Sequence, residues 1–155
     1  MDSRANRREG ERRMLYFEDF KLGDVYVSRG RTITEADIVN FAMFSGDWYP
    51  LHVDKEYAAK SPFGERIAHG MLVLSVASGL MPLTDYAIVA FYGMDRVRFV
   101  GPTKIGDTIH VEAEVTETKE KGELGGVVTF QQAIKNQKGE DLAVATFKVF
   151  MATRG

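Results

Sequence analysis

The stretch IAHGMLVLSVASGLM, Ile67 to Met81, constrains this chain more than any other. It carries no formally charged side chain, is small or apolar on every side, and ends at Pro82. At this length it falls well short of the roughly 20 residues that cross a bilayer. A helix that is apolar all round has to be buried on all sides, so the rest of the chain must wrap it.

The half that follows has the right pattern for a wrapper. Runs of β-branched and aromatic residues from Tyr86 onward are punctuated by Gly101-Pro102, Gly106-Asp107, Lys121-Gly122 and Lys138-Gly139. Val111, Ala113 and Val115 alternate with Glu112, Glu114 and Thr116, which reads as a half-buried strand. Ala143, Ala145, Phe147, Val149 and Met151 place apolar groups on one face of a last strand. Strands joined by tight turns pair antiparallel. The expected fold is therefore α+β, a long central helix enclosed by a curved antiparallel sheet, with Met71, Leu72 and Val76 in its core.

The segment before the helix supplies the candidate chemistry. Val25 to Ile33 reads as a strand, and Thr34-Glu35-Ala36-Asp37 as a capping box with Asp37 in the third position. Ile38, Phe41, Ala42 and Ser45 recur at helical spacing, and Gly46 is a natural stop. A second short helix, KEYAAK, is expected with Asp54 as its cap. Between them lies GDWYPLH, where Asp47 and His52 flank Pro50. Proline fixes its own φ and biases Tyr49 to extended geometry, so the acid and the imidazole would ride on one stiff turn. The bland reading of each is a turn-forming Asp and a packed or surface His.

Composition narrows the classes. The chain has 155 residues, 45% of them hydrophobic, which suits one ordinary domain. Twenty basic against 22 acidic residues give a net charge of -2 and no electrostatic case for nucleic acid. With no cysteine, disulfides, thiolate nucleophiles and Cys-based zinc sites are excluded, and a reducing compartment is favoured. His52, His69 and His110 follow no metal-ligand spacing, so no metal is expected. Residues 1–13 form a polar arm with five arginines and no apolar run after it, which speaks against a secretory leader. A single domain is expected over residues 14–155, in a cytoplasmic protein with no membrane partner.

FSGDWYPLHVDKEYA followed by FGERIAHGMLVLSVASGL resembles the MaoC-like dehydratases, the family of (R)-specific enoyl-CoA hydratases. RFVGPTKIGDTIHVEAEV gives looser support. The resemblance implies the hot-dog fold, a homodimer or higher homo-oligomer, an acyl-CoA thioester substrate and no cofactor. It implies reversible hydration of a 2-enoyl thioester to an (R)-3-hydroxyacyl thioester, with Asp47 and His52 as the catalytic pair on one water. Gly70, at the start of the buried helix, would contribute its amide to an oxyanion hole. Ser78 would hydrogen-bond near the pair, while His69 is read as structural, fixing the helix start. The family motif Asp-x-Asn-Pro-x-His is met at Asp47, Pro50 and His52 but holds Tyr49 at the Asn position, which points to an altered substrate range. Arg96, Arg98 and Lys104 are basic candidates along a CoA path, more simply read as solvated strand positions. The alternatives are a non-catalytic acyl-CoA-binding or partner subunit and, less well supported, an acyl-CoA thioesterase.

Overall fold

The computed structural model describes residues 13–155. The arginine-rich arm lies outside them except for Arg13, which pairs with Asp19 at 3.2 Å. The expected strand Val25–Ile33 is two short ones, β1 (Val25–Val27) and β2 (Arg31–Thr32). The break has a side-chain cause. Ser28 N–H donates to the Val111 carbonyl, and the Ser28 hydroxyl oxygen accepts from Val111 N–H at 2.8 Å, replacing the backbone ladder. Ile33 then leaves the sheet and enters the core with no exposed surface.

Helix α1 (Glu35–Ser45) begins with the predicted reciprocal cap. Thr34 Oγ1 accepts from Asp37 N–H at 3.2 Å, and Asp37 Oδ2 accepts from Thr34 N–H at 2.8 Å. It ends at Gly46, whose φ of 77° is the left-handed conformation that glycine adopts without steric cost. Pro50 then opens a one-turn helix, α2 (Pro50–Val53), that was not anticipated, although proline is well suited to a first helical position. Asp54 Oδ1 accepts from the N–H groups of Glu56 and Tyr57, capping α3 (Lys55–Ala59) as expected.

The apolar helix, α4 (Gly70–Leu80), buries Leu72, Val73, Ala77 and Leu80. Four long strands follow: β3 (Ile88–Phe99), β4 (Thr108–Glu120), β5 (Gly125–Lys135) and β6 (Asp141–Ala152). They form an antiparallel sheet in the order β1-β4-β5-β6-β3, with β2 paired to β4. Its inner face carries Val111, Ala113 and Val115 of β4, Phe130 and Ile134 of β5, and Ala143 to Met151 of β6 at every second position. Period-two patterning against one helix is what sets this register. The α+β hot-dog arrangement is therefore present.

A second expectation fails. The helix is not enclosed on all sides, and Met71 is not core: it is 62% exposed. Met71, Ser75 and Gly79 form an open stripe along α4, because one curved sheet covers only one side of a helix. Edge strand β3 is also open, with Val89, Phe91, Tyr92 and Phe99 each more than half exposed. Among the described residues, no helix is long and apolar enough to cross a membrane.

Candidate active site

The turn between α1 and α2 is held by its own side chains. Asp47 N–H donates to Ser45 Oγ at 3.1 Å, and Asp47 Oδ1 accepts from Tyr49 N–H at 3.1 Å. That second bond pins one carboxylate oxygen to the backbone and leaves the other free. His52 sits in α2 with Nδ1 2.7 Å from the Ile67 carbonyl. A carbonyl only accepts, so Nδ1 carries the hydrogen and Nε2 is the free lone pair of the neutral ring.

His69, the residue before α4, is 2% exposed. It makes no side-chain cap bond, so the expected role in fixing the helix start is not what its ring does. Its Nε2–H donates instead to the Asp47 carbonyl at 3.0 Å, and its ring stacks on His52 with centroids 3.9 Å apart and planes 29° off parallel. Phe41 covers it at 4.9 Å. Its Nδ1 is buried with no partner among the described residues. Burial holds the His69 pKa below the ordinary imidazole value; the bond to Asp47 opposes this, and the nearby His52 reinforces it. The signal available in the sequence was a histidine directly before an uncharged helix, where it has little choice but the interior.

Ligand atoms of Asp47, His52 and His69 lie within 4.8 Å of one another. An ion bound by both histidines would have to lie in both ring planes, about 2.0–2.1 Å from each nitrogen. Rings stacked nearly face to face cannot satisfy that without one turning, so these residues do not fit a metal centre as they stand. His110 stands elsewhere, on β4, 3.2 Å from Glu112.

His52 and Gly70 share a cavity of about 450 Å³ whose apolar walls include Phe63, Met71 and Phe99. Gly70 is the first residue of α4, so its N–H has no partner in the helical ladder. A Cβ added there would fall 2.7 Å from Phe99 Cε1 and Cζ. Close packing therefore calls for glycine here as much as ligand access does. Tyr49 turns its ring edge to His52, with centroids 6.3 Å apart, and its hydroxyl lies 3.2 Å from that of Tyr57. Neither Tyr49 nor Asp47 is among the cavity-lining residues. Ser78 stands apart from the pair within this chain. It lies two turns, roughly 12 Å, beyond Gly70, and its hydroxyl donates to the Ser75 carbonyl. Of the basic candidates, Lys104 pairs with Glu65 at 3.2 Å, Arg98 donates to its neighbour's carbonyl, and Arg96 lines a polar groove with Glu117 and Lys148.

Comparison with known proteins identifies the family. Residues 20–137 match the MaoC like domain. The chain is 50% identical over 97 residues to Protein MaoC of Klebsiella aerogenes; the match takes in 62% of this chain but only 29% of that protein. It is 40% identical over 101 residues to the (R)-specific enoyl-CoA hydratase of Rhodospirillum rubrum, covering 65% of this chain and 69% of the relative. The crystal structure of a monoamine oxidase regulatory protein from Archaeoglobus fulgius superimposes with a TM-score of 0.87 at 40% identity, covering 92% of this chain and 97% of that one. With the domain match spanning most of its length and the helix, sheet and Asp–x–x–Pro–x–His turn in place, the chain belongs to the MaoC-like dehydratase family.

Proposed function

We propose that this chain is a hydro-lyase that reversibly hydrates a 2-enoyl-CoA thioester to the (R)-3-hydroxyacyl-CoA. The observation that carries the reading is that His52, whose Nε2 is free, and Gly70, the first residue of α4, line one mostly apolar cavity, with the Asp47 carboxylate close to His52. The identity to an (R)-specific enoyl-CoA hydratase supports the substrate class and the hand of the product.

The geometry supports the following chemistry. Asp47 and His52 share one water. His52 Nε2 takes a proton as the water oxygen bonds the β-carbon, and the carboxylate stabilises the imidazolium that forms. The π electrons move to the α-carbon and thioester oxygen, where the Gly70 N–H at the positive end of α4 accommodates the charge. The imidazolium then delivers its proton to the α-carbon, which completes the addition of one water and restores the pair.

The open faces of α4 and β3 support a homodimer, seated where Met71 and Phe99 are exposed beside the cavity. A cytoplasmic location is part of the same reading. A second reading, acyl-thioester binding without turnover, is favoured by Tyr49 at the family's Asn position. The test is loss of conjugated-enoyl ultraviolet absorbance with short, long and branched trans-2-enoyl-CoAs, chiral analysis of the product, and Asp47→Asn alongside. Turnover to the (R) product that the variant abolishes supports the hydratase. Binding with no turnover across the series leaves the binding subunit.

A further inference from the structure

We propose that His69 is a positioning residue, which presses its ring on His52 and grips the Asp47 carbonyl so that both members of the pair stay aimed at one water. The inference rests on the hydratase reading for its kinetic consequence but not for its geometry.

Three contacts meet on one imidazole. The ring centroid lies 3.9 Å from that of His52 and 4.9 Å from that of Phe41, and Nε2–H reaches the Asp47 carbonyl at 3.0 Å. His52 is held at its edge by Ile67 and on its face by His69, so its free Nε2 has one direction left. The Asp47 turn is held from within by Tyr49 N–H and from outside by His69. Asp47 precedes α2 and His52 lies within it; Tyr49 contacts both from inside the turn, and His69 contacts both from a distant segment.

The other ring nitrogen, Nδ1, is buried and has no partner among the described residues. That orphan atom can only be a lone pair, because a hydrogen there would have no acceptor. The two rings thus hold opposite tautomers: Nδ1–H in His52 and Nε2–H in His69. Each is dictated by a backbone carbonyl.

Two variants separate the contacts. His69→Gln keeps a donor near the Nε2 position and loses the stacked ring; His69→Phe keeps the ring and loses the donor. Each should lower kcat by roughly 10- to 100-fold, the scale expected when a reacting group is displaced by about an ångström. KM should change little and melting curves should stay near wild type. Long-range ¹⁵N–¹H correlation spectra resolve the chain's three histidines. They should show the Nδ1–H form of His52 in the wild-type chain, and mixed tautomers in both variants. Unchanged kcat and an unchanged His52 pattern in both variants would reduce His69 to packing. A wild-type spectrum with hydrogen on His69 Nδ1 overturns the proposal even if neither variant folds. A wild-type chain inactive on every enoyl thioester overturns the hydratase reading instead, and the tautomer spectra then decide His69.

Discussion

Replacing Gly70 by alanine separates its two possible reasons for being glycine. The new Cβ would stand 2.7 Å from Phe99 Cε1 and Cζ and 3.0 Å from Cδ1. Those are the far atoms of a ring that is 52% exposed, so the ring can swing aside rather than strain the backbone. Overpacking costs about 1–3 kcal/mol in a tight core and belongs at the low end here. Alanine's better helix propensity returns part of it, up to about 1 kcal/mol. The net loss of stability should be about 1 kcal/mol or less by urea denaturation. On the proposed hydratase reading activity should respond on another scale, because a methyl group at Gly70 would crowd a thioester oxygen approaching the amide. Loss of one such donor costs about 2.7–4 kcal/mol, a fall in kcat of roughly 10²–10³-fold. The double variant Gly70→Ala/Phe99→Ala removes the clash and should not restore turnover. Recovery of turnover in the double variant would show that the displaced ring, not the blocked amide, was responsible. A loss of several kcal/mol in stability with turnover falling only as the folded fraction falls would refute the oxyanion argument.

Two further outcomes follow from the turn and its surroundings. The Arg31 guanidinium, 2.7 Å away, together with the Thr34 cap holds the Asp37 carboxyl at about 2, below its usual 3.8, against the opposing effect of burial. A depressed carboxylate stabilises the fold above the unfolded pKa and loses that contribution as pH falls from about 4 to about 2. With Arg31 41% exposed, the contribution is discounted to about 1 kcal/mol. Asp37→Asn should therefore be less stable than wild type at neutral pH and nearly equal to it near pH 2 in chemical denaturation; parallel pH profiles would contradict this. Tyr57 has its pKa raised chiefly by the hydrogen bond to Tyr49. Tyr49→Phe should move one phenol to lower pH in a spectrophotometric titration, and an unshifted curve would deny the hydroxyl contact.

Short-range signals were legible in the sequence, the one-turn helix α2 excepted. The Thr34–Asp37 box, the Gly46 stop and the Asp54 cap each concern groups within a few residues, and each appears with its expected hydrogen bond. The alternation in β4 and β6 likewise specified which side of each strand faces the helix. Asp47 and His52 were legible as neighbours on a turn that Pro50 stiffens, while their reading as a pair came from the family resemblance. What the sequence could not carry was any contact between distant segments. Ser28 breaks a strand only because Val111 lies across from it, 83 positions on. Met71 reads as core, yet the sheet bends around the other side of α4. His69 lies 22 positions from Asp47, and nothing local marks it as the ring that would stack on His52. Local conformation depends on neighbours along the chain, which a sequence displays. The direction of a buried side chain depends on which surfaces the folded chain leaves open, and that is settled only when the elements pack.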